Sequence, residues 1–461
     1  MTGVMDMNRK ATLTVIILLI TAVLMTACGS SANQAVGGAS LDPTGAESSN
    51  GESSSTTAAD KDVTITFYNY LLGNAAIGKG AQTLIDEFEA SHPHIHIEPV
   101  SVPVTELIGR VQADVATGTP PDIAQLAFKA MDIVVNGFGA TALEDIVSEE
   151  EWKQNFEGFS PKGLDLGKYD GKTYGLPFTF STPVLFYNAD LLRQAGLDAE
   201  NPPATWEEVT KAALQIKEKT GIEGFHYGGL SPSSGDWIIQ SLIASNGGSV
   251  ISSDRKTLQF DSEQSIQAIQ MWRGLVDSGA HDKLNDNEAI EAMTQGKLGM
   301  FVYTSAVQST LLKGAEAGGW ELQAAELPAF QGKETKPMNS GSALFILSQD
   351  EEKKKAAWEF MKFVTSERGY SIITSEIGYL PLRTSILDDP KHLKDWAAKN
   401  PLIQPNIRQL ERLTPAVAFP GQNFGQISTI LMNAIQKSVM TNADVAKVMQ
   451  AAQKEAQQLM P

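Results

Sequence analysis

From residue 63 onward the apolar pattern switches repeatedly between a period of about two residues and one of about 3.6, the signatures of strand and helix. Val63-Thr64-Ile65-Thr66-Phe67-Tyr68 alternates. Leu84, Ile85 and Phe88 then share one helix face with Asp86, Glu87 and Glu89 elsewhere, and Ile95 to Val100 reads as a second strand. A helix over Leu107 to Ala116 ends at Thr117-Gly118-Thr119-Pro120-Pro121, before a third strand, Asp122-Ile123-Ala124-Gln125-Leu126. Such βαβαβ connections pack as parallel neighbours with right-handed crossovers. The fold class is therefore α/β, with mainly parallel sheets flanked by helices. Further along, Thr205 with Glu208 forms a capping box that opens a helix, and the chain after Ser265 is mostly helical down to Asp444–Leu459.

Ahead of this folded part the chain is of another kind. Asn8-Arg9-Lys10 precedes an apolar run from Ala11 to Ala27, and Leu24-Met25-Thr26-Ala27-Cys28 follows the layout of a secretory signal ending in a bacterial lipobox. Residues 1–27 are expected to be a lipoprotein signal peptide, with Cys28 as the palmitate-type lipid attachment point. Residues 28–60 are Ser, Gly, Ala and Thr with a few acids, a flexible tether whose span by the coil rule is roughly 30 Å. Cys28 is the only cysteine, so no intramolecular disulfide can form. No later apolar run approaches the ~20 residues that span a bilayer. With 36 Lys+Arg against 54 Asp+Glu the chain lacks the basic footprint that nucleic acid requires. Localisation is expected to be extracytoplasmic, lipid-anchored to the outer face of the cell membrane.

Enzyme-like strings fail on their details. Gly73-Asn74-Ala75-Ala76-Ile77-Gly78-Lys79-Gly80 lies between a strand and a helix as a phosphate loop would, but Gly80 replaces the magnesium-holding hydroxyl. Gly137-Phe138-Gly139-Ala140-Thr141-Ala142 follows a helical segment rather than a strand. His94, His96 and Glu98 share one strand face and read as a solvated face rather than a zinc site. No Gly-x-Ser-x-Gly elbow occurs. No cofactor, no metal and no catalytic residue is therefore expected. A carbohydrate site instead needs aromatic platforms for C–H faces and acceptors for hydroxyls. Ser231-Pro232-Ser233-Ser234-Gly235-Asp236-Trp237 supplies both chemistries, and Tyr70 stands on the loop after the first strand, the ligand edge of an α/β sheet. Trp206, Trp272 and Trp358 lie at helical spacing among apolar neighbours and read as core.

Several strings then occur in an order that resembles the family 1 extracellular solute-binding proteins of ABC importers. They are Tyr169-Asp170-Gly171-Lys172-Thr173-Tyr174-Gly175-Leu176-Pro177-Phe178, Pro183 to Asn188, Ala195-Gly196-Leu197, Pro202-Pro203-Ala204-Thr205-Trp206, Gly296 to Met300, Ser340 to Leu344, Ala356 to Val364 and Ile377 to Pro381. The resemblance covers about residues 62–461. It implies a two-lobed clamp that closes on a small-molecule ligand and docks on a permease with its ATPase, the binding protein being a monomer. Residues 61–180 plus 306–350 would form the N-terminal lobe and 181–305 plus 351–461 the C-terminal lobe. The nearest branch is similar to glycerol-3-phosphate-binding proteins, and by position it implies Ser181, Ser305, Gly341, Tyr379 and Trp237 as ligand contacts. The chain departs from that branch where Val104 replaces a tyrosine, where Ala127-Phe128 replaces a glutamate, and where Phe419 to Phe424 holds no arginine. Losing the bidentate cation disfavours a phosphate ester, although Lys129 could compensate from the cleft. A carbohydrate, sugar or oligosaccharide, is the expected ligand, with a glycerol-3-phosphate or glycerophosphodiester as the alternative. An exported polysaccharide-processing enzyme would need paired carboxylates, and only Asp236 stands out.

Overall fold

The computed structural model describes residues 61–75, 77–230 and 235–461. The expected signal, Cys28, the expected tether and Ser231 to Ser234 lie outside the described residues. Two sheets organise the rest.

Strands β1 (Val63–Asn69), β2 (Ile95–Ser101) and β3 (Ile123–Ala127) form the βαβαβ unit expected from the sequence, with β1 parallel to both neighbours. A short ladder of β4 (Lys168–Tyr169) and β5 (Lys172–Thr173) precedes β6 (Gly175–Ser181). The chain then leaves the first sheet and, after Thr182, enters the second as β7 (Pro183–Asn188), followed by β8 (Glu223–Tyr227), β9 (Leu298–Thr304) and β10 (Leu322–Ala325). It returns as β11 (Ser340–Ile346). The first sheet has the order β2-β1-β3-β11-β6 and the second β10-β7-β9-β8. Both are mixed rather than mainly parallel. β11 runs antiparallel to β3 and β6, and β7 antiparallel to β9 and β10, because these strands arrive through inter-lobe connections instead of helical crossovers.

Each sheet has its own core, and this corrects the expected lobe boundaries. Leu311, Ala315, Leu322 and Leu327 pack in the second core, so residues 306–327 belong to that lobe and not to the first. Trp358, Phe360, Tyr370, Leu382 and Leu410 pack in the first core, so most of 351–413 belongs with the first sheet. The physical reason is a third crossing. The chain comes back on β11, covers the first sheet with the helix Glu351–Val364, touches the second core at Leu402, and returns to the second lobe beyond Leu413, at Phe419. Trp206, Trp272 and Trp358 are all core, as their spacing implied.

The crossover is stitched by buried amides. Gln409 accepts from Leu327 N at 2.7 Å and donates to Pro183 O at 3.1 Å, and Asn406 accepts from the Thr182 hydroxyl at 2.9 Å. Among the described residues no helix is long and apolar enough to cross a membrane.

Candidate functional site

A cavity of about 270 Å³ lies between the two cores. The first lobe supplies Tyr70 just beyond β1 and Ala127, Phe128 and Lys129 at the end of β3, which is the carboxyl edge of the parallel unit. Val104 also lines the cavity, one of two large hydrophobic residues left exposed among the described residues. The second lobe supplies Gly235, Asp236 and Trp237, and the crossing segments add Asn339, Ser340, Gly341, Ala416 and Val417. Tyr379 completes the wall.

The tyrosines are held by polar networks rather than by packing alone. The Tyr70 hydroxyl donates to Ser342 Oγ at 3.3 Å and shares a hydrogen bond with Thr179 Oγ1 at 3.1 Å, while Gln125 donates to Ser342 Oγ at 2.9 Å. Tyr379 follows a π-helical turn, Ile373–Ile377, that ends at Gly378 with φ 93°. Burial first, then the neighbouring Tyr70 with which it hydrogen-bonds, pushes the Tyr379 phenol well above its ordinary range, so it stays a neutral donor. Gly341 has φ 118° and a Cβ there would lie 1.9 Å from Thr179 O, so only glycine lets β11 pass β6 at the cavity wall.

Asp236 occupies the position ahead of the helix Trp237–Ser245, but its carboxylate makes no capping bond to that helix. It is instead 4% exposed in the cavity wall, with hydrogen bonds to Ser428 and Gln240. Burial raises its pKa above the usual carboxylate value, against the pull of Lys129 from the facing lobe and of those two bonds. Trp237 is half-buried beside it.

Of the residues singled out in the sequence, the structure brings together Tyr70, Asp236, Trp237, Gly341 and Tyr379. Ser181 and Ser305 are not among the residues lining this cavity. Both are buried at the lobe crossover, where Ser181 Oγ accepts from Thr304 Oγ1 at 3.0 Å and Ser305 Oγ accepts from Thr182 N at 3.3 Å. Asn339 was missed. It is 2% exposed, its Oδ1 accepts from Ala416 N at 2.8 Å, and its Nδ2 has no partner. Its only sequence signal is its place immediately before the Ser340 to Leu344 string. His94 hydrogen-bonds Asp62 at 3.1 Å, and His96 and Glu98 are exposed, consistent with a solvated face.

A cleft between two α/β lobes, lined by aromatic rings and a few fixed polar groups, binds solutes by enclosure. The family model for bacterial extracellular solute-binding proteins matches residues 83–402, most of the folded part. The chain belongs to the bacterial extracellular solute-binding proteins. Among relatives of this solute-binding protein, the sn-glycerol-3-phosphate-binding periplasmic protein UgpB of Escherichia coli (strain K12) is 24% identical over 384 residues, covering 80% of this chain and 85% of its own. Its counterpart in Agrobacterium fabrum is 25% identical over 342 residues, covering 70% and 76%. Among solved structures, the cyclic alpha-maltosyl-1,6-maltose binding protein of Arthrobacter globiformis matches with a TM-score of 0.75 at 21% identity over 86% of this chain and 99% of that one. UgpB of Mycobacterium tuberculosis in complex with glycerophosphocholine matches with a TM-score of 0.74 at 21% identity, covering 86% and 98%. The structural likenesses show the two-lobed fold, and the family match shows an extracytoplasmic solute-binding role.

Proposed function

We propose that this solute-binding protein captures a carbohydrate, a sugar or an oligosaccharide, and delivers it to the permease of an ABC importer. The observation that carries this reading is the composition of the main cavity: rings of Tyr70, Phe128, Trp237 and Tyr379, one carboxylate, one lysine and no arginine among the described lining residues. Rings stack on the C–H faces of a pyranose, and Asp236 accepts from its hydroxyls. Lys129 and Asp236 offset each other's charge, which leaves the main chamber without the net positive field a phosphate seeks. The names of the glycerol-3-phosphate-binding relatives, together with Lys129, support the second reading, a glycerophosphodiester ligand. Asp236 is the sole carboxylate lining the cavity among the described residues, so the pair that glycoside hydrolysis needs is not assembled there and the ligand is released unmodified.

A thermal-shift panel of sugars, oligosaccharides and glycerol phosphoesters tests the reading, because a ligand stabilises the folded chain by RT ln(1 + [L]/Kd). Stabilisation by a carbohydrate is the expected result, and mass spectrometry should recover it unchanged. Stabilisation by glycerol phosphoesters alone would transfer the assignment to the second reading. Anchoring rests on Cys28. The Cys28→Ser variant should be released from membranes or remain an unprocessed precursor, whereas equal membrane retention after processing at the same site would remove the lipoprotein assignment.

A further inference from the structure

The cleft continues past its main cavity. Phe128, Asn339, Ala416 and Val417 also line a second chamber of about 180 Å³, whose remaining walls include Tyr169 from the first lobe and Arg255 from the second. The main chamber alone, at about 270 Å³, falls below the range of roughly 300–1,000 Å³ typical of ligand pockets, and the two chambers together fall within it.

Most of the polar groups in the second chamber are already committed. Lys168 pairs with Asp165 at 2.7 Å. The Tyr169 hydroxyl donates to Asp132 at 2.7 Å and accepts from Asn136 at 2.8 Å. Two donors remain. Asn339 Nδ2 is buried without a partner, and Arg255 spends one N–H on Ala418 O at 2.7 Å. A guanidinium carries five N–H donors, and among the described residues no carboxylate pairs with this one. Arg255 also has φ 58°, one of two such non-glycine residues among those described, within a turn where its N–H bonds Ser252 O at 2.9 Å and Ser252 N–H bonds Thr257 O at 2.7 Å. A glycine would hold that turn without strain. The arginine brings a cation to Ala418, beside the Phe419 to Phe424 segment that has none of its own.

We infer that Arg255 is a specificity-determining residue that selects ligands of two linked units, the first in the tyrosine chamber and the second offering paired oxygen acceptors to the Arg255 fork, with Asn339 Nδ2 donating between them. The inference rests on the capture reading above. Vicinal hydroxyls of a second sugar and the oxygens of a phosphodiester share this chemistry, since both present two acceptors to a planar donor pair.

The test is calorimetry on the wild-type protein, Arg255→Gly and Arg255→Lys with glucose, galactose, xylose and glycerol 3-phosphate against maltose, lactose, xylobiose and glycerophosphocholine. Glycine suits the left-handed turn, so Arg255→Gly should keep the wild-type melting temperature while its affinity for the preferred two-unit compound falls about tenfold or more, the scale of a lost charge-assisted pair. The one-unit counterpart should bind both proteins alike within about twofold, and Arg255→Lys, which restores charge but not the fork, should remain several-fold weaker on the two-unit compound. A sugar or glycerophosphocholine as the preferred compound identifies which source supplies the acceptors. One-unit compounds binding the wild type as tightly as two-unit ones, or Arg255→Gly leaving two-unit affinity unchanged, would overturn the inference while leaving solute capture intact. No binding of any compound would overturn both. Should Arg255→Gly fold poorly, Arg255→Lys against wild type carries the same comparison.

Discussion

Asp236 is a carboxylate held buried against the cost of desolvation, with Lys129, Ser428 and Gln240 as its partners. Burial lifts its pKa, so above that raised value the folded chain bears a charge it would more readily neutralise. Between the ordinary carboxylate value of 3.8 and the raised one, the folded state holds the extra proton, and this residue's contribution to stability therefore declines as pH rises through that window. Asp236→Asn should accordingly raise the melting temperature of the ligand-free protein at neutral pH. It should weaken carbohydrate binding by roughly 1.5–3 kcal/mol, the value of a hydrogen bond to a charged group. A variant that binds normally in calorimetry would remove Asp236 from the site. Trp237→Ala is expected to cost binding roughly 1–3 kcal/mol as a lost aromatic platform. At this scale the sequence was readable where one short string joined an acid to an aromatic ring, as at Asp236-Trp237. It was not readable at Asn339 or Arg255, whose importance comes from a missing partner and a left-handed backbone, neither of which has a sequence period. Ser181 and Ser305 were placed by resemblance, which marks a position on the crossover but not whether its hydroxyl faces the cavity or the neighbouring strand.

Within the second lobe, a buried histidine pair couples an end strand to a loop. His226 on β8 lies between Asp282, at 2.7 Å, and Asp286, at 3.5 Å. His281 accepts from Tyr227 N–H at 2.9 Å and bonds Asp282 O at 2.6 Å. The ligand atoms of His226, His281 and Asp282 lie within 4.8 Å of one another, yet each ring is engaged by the protein itself, so the cluster reads as a structural tie. Burial opposes a charge on His226, but its hydrogen bond to Asp282 and the Asp286 carboxylate 3.5 Å away prevail and its pKa is raised. Burial and then the charged His226 push His281 down to about 4. The His226 contribution is complete below its ordinary value of 6.5 and is lost as pH rises through the raised one, whereas the neutral His281 loses its contribution as pH falls from 6.5 toward about 4. Urea unfolding across pH should therefore show loss of stability on both limbs. His226→Gln should flatten the alkaline limb and cost about 3–5 kcal/mol, because two buried carboxylates lose their cation. An unchanged alkaline limb would show that the imidazolium is not formed. Elements with local codes were legible. The Thr205–Glu208 capping box is present as read, and Thr205→Ala should cost about 1 kcal/mol in the same assay. The segment 351–413 was misplaced because helices carry no label for the sheet they cover.

For the molecule as a whole, three connections join the lobes, and buried amide side chains tie them to one another. Gln409 holds Leu327 N–H and Pro183 O, so one buried amide that belongs to neither sheet links two of the crossing segments. Closure of such a clamp is favoured by a ligand only to the extent that the ligand touches both lobes, and the cavity walls are drawn from both. Two measurements separate closure from simple binding. Small-angle scattering on the mature chain should show the radius of gyration falling when the preferred carbohydrate saturates it, and Gln409→Leu should lower stability by roughly 1–3 kcal/mol by leaving a buried donor and acceptor unpaired. If the amide sets the hinge, Gln409→Leu should also change affinity, since the free energy needed to bring the lobes together adds directly to the free energy of binding. Saturating ligand with no compaction would sink the clamp mechanism, and unaltered affinity in a destabilised Gln409→Leu would confine that residue to holding the fold.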